Sequence, residues 1–261
     1  MDIKNTLKQV CIKIYIYIYI YIRLVRPAEL IGVKKSLNKL LKTKNEIEKC
    51  TNYLIRNRLI SHDIIAKDWE IAHIISDLSD GNMLDMGATD SYILKNALLK
   101  GIKGEKYGID LRKPNVPLPR VKYLVGDLLN VPLPDSYFQN ITCLSVLEHD
   151  VDIKRFAVEA SRLLKNGGKL YVTFDYWEPK VNTSHIALYG LSWNIFDKNE
   201  ALTLIGECET AGFQLVEDVD WSLGDKVINE SYYSPTTDGY TFGMLVFEKK
   251  NTINENIETN E

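Results

Sequence analysis

The sequence predicts an α/β protein built on a doubly wound sheet with helices on both faces, and three observations predict it. Short apolar runs alternate with helical patterns through the middle of the chain. Several of these runs end in polar residues, at Asp85, at Asp110, at Asp127 and over 145–149. The first run turns at Gly87 directly into a helical pattern, giving strand, tight loop, helix. In an open sheet of this kind the ligand crevice lies outside the carboxyl ends of the strands, so chemistry is sought at those polar positions.

Taken in order, residues 14–22 alternate Ile and Tyr with a period of two, which suits a strand. Nine uncharged residues fall well short of the about 20 that a membrane-spanning helix needs. The same alternation is what an AT dinucleotide repeat encodes when read as ATA and TAT. Residues 1–26 are therefore read as a low-complexity segment, a translated repeat tract that mixed Ile and Tyr codons would contradict. Residues 27–65 are basic, and Leu37, Leu40, Leu41, Ile47 and Leu54 recur at helical spacing. This extension is read as helices covering the domain or the mouth of its site. Its lysines and arginines form either a solvated face or a surface for an anionic ligand.

The domain proper spans 66–250. An amphipathic helix over 66–78 places Trp69 in the core and His73 beside it. Strand one follows near 82–87, a helix over 90–100, strand two near 105–111 and strand three near 121–126. Pro114, Pro117 and Pro119 make the link between strands two and three extended rather than helical. Strand four centres on 141–145, and the helix over 151–165 ends at Gly167-Gly168. Strand five covers 169–174, a long irregular lid covers 176–193, and a helix covers 197–212. Two last strands, 213–219 and 240–248, precede a polar acidic tail, 251–261, expected to be disordered.

Composition bounds the function. With 261 residues, 45% apolar and 26% charged, the chain can bury a full core. A formal charge of -3 argues against a surface built for nucleic acid, and no nucleic-acid partner is expected. Cys11, Cys50, Cys143 and Cys208 form no C-x-x-C pair and cluster with no histidine, so no metal site and a reducing, cytoplasmic setting are expected. Oligomeric state is open.

The series MLDMGATDS (83–91), YGIDL (107–111), VGDLLNVPLPDSYFQNITCLSVLEH (125–149) and RLLKNGGKLYVTF (162–174) resembles the class I S-adenosylmethionine-dependent methyltransferases, close to their broad small-molecule, type 11-like group. The resemblance covers about residues 67–248 and implies a Rossmann-like seven-stranded sheet with its last strand antiparallel. It implies S-adenosylmethionine as cofactor. Asp85, Gly87 and Ala88 would lie at its methionine end, Asp110 and Leu111 at its ribose, Asp127 and Leu128 at its adenine, and Ser145 beside the methionine through backbone. One departure stands out. The family's loop is Gly-x-Gly-x-Gly, whereas Gly87-Ala-Thr-Asp-Ser91 keeps a single glycine. Thr89, Asp90 and Ser91 either cap the next helix or touch the cofactor. The same loop lacks the G-x-G-x-x-G that a nicotinamide dinucleotide wants, and Asp90 would repel its phosphates.

The expected activity is methyl transfer to a small molecule, with a sugar or lipid-linked surface glycan ranked first. The alternative is a methyltransferase-like binding or regulatory protein without turnover. His149 is the first candidate for a general base and Asp175 the second, with Asp150 and His185 weaker. Trp177, Tyr189 and Trp193 either line the acceptor pocket or form a small core within the lid.

Overall fold

The computed structural model describes residues 36–229, 236 and 238–251. The Ile/Tyr alternation, Cys11, Lys34, Lys35 and residues 252–261 of the tail lie outside them. The chain forms β1 (Lys39–Leu40), α1 (Lys44–Arg56), α2 (Asp68–Asp77), β2 (Met83–Met86), α3 (Tyr92–Lys100), β3 (Lys106–Asp110), β4 (Val121–Val125) and β5 (Phe138–Leu144). It continues with α4 (Ile153–Leu163), β6 (Leu164–Tyr176), β7 (Ala187–Leu188), β8 (Leu191–Ser192), α5 (Lys198–Thr210), β9 (Phe213–Leu215) and β10 (Thr241–Lys249).

The sheet runs β4-β3-β2-β5-β6-β10, with β9 and β1 both on the outer side of β10. Strands β2 to β6 are parallel, and β10 is antiparallel to β6. This is the doubly wound seven-stranded sheet expected, with one further edge strand. Because β2 lies between β3 and β5, chain order reverses there, and the crevice opens at the carboxyl ends on either side of it.

Period-two alternation builds both cores. Leu170, Val172, Phe174, Leu245 and Phe247 face α4 and α5 with Leu84, Met86 and Ile141. Tyr171, Phe242, Met244 and Val246 face the other way, onto α1, α2 and α3, where Trp69 is fully buried. On this second face the sheet turns polar towards its carboxyl end, at Asp85, Thr142, Thr173 and Asp175, all buried. That gradient from apolar to polar is what makes a site there.

Helix starts follow side-chain caps: Thr43 for α1, Ser91 for α3, Asp152 for α4 and an Asp197–Glu200 capping box for α5. Three expectations need correction. Leu37, Leu40 and Leu41 are not helical: the chain there is extended, pairs as β1 with Gly243 and Met244, and turns helical only after Thr43. The free edge of β10 offers those backbone groups partners that an isolated helical turn would lack. Helix α4 stops at Leu163 rather than at the glycines. Leu164 already pairs with Phe138, and Gly167-Gly168 falls where the register is irregular before Asn140 meets Lys169. The stretch over 176–193 is ordered, with hairpin β7–β8, and it is tied down where Trp177 N–H donates to the Phe196 carbonyl and Phe196 N–H to the Asp175 carbonyl.

Among the basic residues of the extension, Lys42 pairs with Asp220 at 2.6 Å and Lys39 Nζ lies 2.9 Å from His73 Nε2. His73 is buried, with its pKa pushed down to about 4, first by burial and then by Lys39. Cys50, Cys143 and Cys208 are free and buried. Among the described residues, no helix is long and apolar enough to cross a membrane.

Candidate functional site

The turn after β2 is held by its neighbour strand: the N–H groups of Gly87 and Ala88 both donate to the Ile109 carbonyl, at 2.8 and 3.1 Å. Gly87 has φ 87°, and a Cβ there would stand 2.3 Å from Val146 Cγ2. Both facts demand glycine. Ala88 is buried beneath the loop against Gly108, so it shapes the loop from below rather than lining the cleft. The residues that replace the missing glycines have local roles. Ser91 caps α3 by accepting from Leu94 N at 3.0 Å, and Thr89 N–H donates to Asp110 Oδ2 at 3.0 Å.

Asp110 at the end of β3 also accepts from Arg112 N through Oδ1 at 3.1 Å, so each carboxylate oxygen holds one backbone N–H and keeps a lone pair. Asp127, after β4, accepts from Leu129 N at 2.8 Å. Asp85 takes a 2.6 Å bond from Thr142 Oγ1 and is pushed up to about 7 by burial, against the hydrogen bonds of Ser91 and Thr142. Ser145 has φ 51°, and its N–H donates to the Thr173 carbonyl at 3.0 Å.

These groups form the outer half of one cleft of about 970 Å³. Of the sequence-predicted residues, Asp85, Gly87, Asp110, Leu111, Asp127, Leu128, Ser145, His149, Asp150 and Asp175 line it. His185 is exposed and lies away from it. Trp177 also lies outside, under Lys226 Nζ at 5.0 Å, whereas Tyr189 and Trp193 are in its wall.

The inner half is assembled from distant segments. Half-buried Lys67, in the 3-10 turn before α2, lies 3.4 Å from Glu70 Oε1, donates to Ser145 Oγ, and stands 4.4 Å from the Phe242 ring centroid. Burial works against its charge, but Glu70, Asp175 and Glu148 outweigh burial and raise its pKa. Thr173 Oγ1 donates to Glu70 Oε2 at 2.6 Å, and Trp193 Nε1 to Asp175 Oδ2 at 2.8 Å. Burial pushes Asp175 up to about 6, with Lys67 and Trp193 pulling back. Glu148 is 1% exposed, its Oε2 has no hydrogen-bond partner among the described residues, and burial followed by the nearby Asp175 holds its pKa well above the usual range. Tyr240, packed edge-on to Trp193 at 5.5 Å, has its phenol pushed upward by burial and then by the same carboxylates.

Hairpin β7–β8 spans the mouth. Its turn residues Tyr189 and Gly190 both have positive φ, at 57° and 83°. Arg112 Nη2 donates to the Tyr189 carbonyl at 3.0 Å, and His149 Nδ1 lies 3.2 Å from the Ser192 carbonyl. The imidazole pKa is lowered, chiefly by burial. With Nδ1–H committed to Ser192, Nε2 carries the free lone pair. Sequence reasoning missed Lys67, Glu70, Tyr240 and Phe242 as site residues. A Lys67/Glu70 pair three residues apart at the start of an amphipathic helix was the one available signal.

The lining suits a cation and not a phosphate, since Asp85, Asp110 and Asp127 ring the outer half. A family model described as a methyltransferase domain matches residues 84–172, from β2 into β6. No curated protein sequence matches the chain. Among solved structures, the [4+2]-cyclase SpnF is similar with a TM-score of 0.56 at 15% identity, over 83% of this chain and 99% of that one. A Haloferax volcanii methyltransferase, seen in complex with the Trm112 methyltransferase activator, gives 0.52 at 20% identity over 70% and 90%. Phosphoethanolamine N-methyltransferase 2 of Haemonchus contortus, in complex with phosphomonomethylethanolamine and S-adenosylhomocysteine, gives 0.50 at 12% identity over 77% and 60%. At these identities the likeness shows the common fold, which by itself selects no substrate. From β2 into β6 the chain matches a methyltransferase-domain model, and it has the fold of these methyltransferase structures.

Proposed function

We propose that the chain methylates a small molecule, with a sugar or lipid-linked glycan as the first acceptor to test. The observation that supports this most is the two-part cleft, one half ringed by Asp85, Asp110 and Asp127 and the other walled by Trp193, Tyr240 and a covering hairpin. Aromatic faces of this kind stack on sugar rings. In this reading Asp110 holds both ribose hydroxyls through its remaining lone pairs, with Leu111 beside it. Asp127 and Leu128 hold the adenine. Asp85, Gly87 and the backbone of Ser145 hold the methionine end, with Ala88 packed beneath the loop against Gly108.

S-adenosylmethionine, when bound, supplies a methyl group already activated by its sulfonium. What the chain then contributes is alignment and a dry site. Hairpin β7–β8 excludes water over the inner half, tied by Arg112 at one end and His149 at the other. His149 Nε2 accepts the proton of a hydroxyl acceptor, and a neutral imidazole is the form this needs. Asp175, fixed by Trp193, orients the acceptor.

Calorimetric titration with S-adenosylmethionine, S-adenosylhomocysteine and NAD, followed by methyl transfer from labelled cofactor to a panel of glycan acceptors, tests the reading. Binding of the first two ligands without NAD, and transfer that falls on His149→Ala, is expected. Tight cofactor binding with no transfer to any small molecule would favour the alternative, a binding protein without turnover.

A further inference from the structure

The inner half of the cleft carries a charge imbalance that methyl transfer to a neutral sugar leaves unexplained. Three buried carboxylates, Glu70, Glu148 and Asp175, face one cation, Lys67. Glu70 is satisfied by Lys67 and Thr173. Among the described residues, Asp175 has only a neutral side-chain donor, the Trp193 indole, and Glu148 Oε2 has none. An ionised carboxylate buried without a donor is costly, and burial raises the pKa of both groups accordingly.

We propose that this half of the cleft takes an acceptor bearing a protonated amine, whose N–H donates to Glu148 Oε2 and whose charge lies among Glu148, Asp175 and the Trp193, Tyr240 and Phe242 rings. An ammonium group supplies what the pocket lacks, a positive charge with several N–H donors, and aromatic faces add attraction for a desolvated cation. The position of Glu148 sets it apart from the cofactor half. Its carbonyl accepts from Asn194 N at 2.9 Å, which fastens it to the segment leaving the hairpin. The proposal rests on the cofactor lying at Gly87 and Asp110, and it narrows the acceptor class to amines, amino sugars included.

The test uses the full chain saturated with S-adenosylhomocysteine and matched probes that differ by one group: glucosamine against glucose, and ethanolamine against ethylene glycol. In at least one pair the amine should bind about tenfold more tightly, the scale of a charge-assisted hydrogen bond, and Glu148→Gln should bring the pair within about twofold. S-adenosylhomocysteine affinity should stay unchanged in that variant. Asp175→Asn, of equal size, is the second variant and should cut the same preference. Equal binding within both pairs, or a preference that survives both substitutions, overturns the proposal. So does a Glu148→Gln variant that loses S-adenosylhomocysteine, since that assigns the carboxylate to the cofactor. A wild-type chain that binds no S-adenosylhomocysteine overturns instead the cofactor reading beneath it.

Discussion

The two halves of the cleft are made in different ways. The outer half comes from three consecutive strand ends, and its polar groups are tied by short-range backbone bonds: Thr89 and Arg112 to Asp110, Leu129 to Asp127. The inner half draws on the turn before α2, the loop after β5, the end of β6, the hairpin and β10, and its groups meet through side chains across long sequence separations, such as Thr173 to Glu70 and Trp193 to Asp175. A cradle fixed by backbone bonds holds its shape whatever the surrounding side chains are. A wall of side chains from scattered segments can be changed one residue at a time, and the proposed reading puts acceptor choice there.

The sharpest break of the comparison is at Gly87. Gly87→Val puts a branched side chain at positive φ and into Val146, and should lower S-adenosylhomocysteine affinity on the order of a hundredfold with about 1–3 kcal/mol of stability. Calorimetry and urea unfolding read the two effects.

Next is the pH dependence of the outer half. Asp85 has its folded-state pKa raised from 3.8 to about 7, so it binds its proton more tightly folded than unfolded. Its contribution to stability is full below about pH 4 and is lost as pH rises to about 7, at no more than ~1.4 kcal/mol per pH unit. The wild-type chain should therefore lose stability relative to Asp85→Asn over that window, as unfolding midpoints at its two ends would show.

In the inner half, Trp193→Phe strips Asp175 of its one donor bond and should cost ~1–3 kcal/mol, most of it above about pH 6 where that carboxyl is ionised. Cofactor affinity should not follow. The smallest effect belongs to Arg112→Ala, which removes an exposed bond to the hairpin worth ~1 kcal/mol or less. Faster hydrogen exchange of the amides in 187–192 is the expected sign.

This difference in construction also explains what was legible in the sequence. Asp85, Gly87, Asp110 and Asp127 sit in contiguous segments whose apolar run, turn and carboxylate read directly as strand ends. Lys67, Glu70, Tyr240 and Phe242 each look like an ordinary helix or strand residue, and only the sheet brings them together. Local ambiguity accounts for the other misreadings. Leu37, Leu40 and Leu41 fit a helical spacing equally well, and the open edge of β10 decided for a strand. The Tyr189-Gly190 turn lacks the Asn-Gly or Asp-Gly signature that announces a hairpin. Leu163 and Leu164 are both fully buried, and pairing with Phe138 ended α4 before the glycines could.

Titration of S-adenosylhomocysteine into Asp110→Ala and Glu148→Gln side by side tests the division between the two halves most directly. Loss of charge-assisted bonds at Asp110 should weaken binding by ~1.5–3 kcal/mol, roughly tenfold to a hundredfold, while Glu148→Gln should bind as the wild type does. Equal losses in the two variants, or full affinity in Asp110→Ala, would contradict the account.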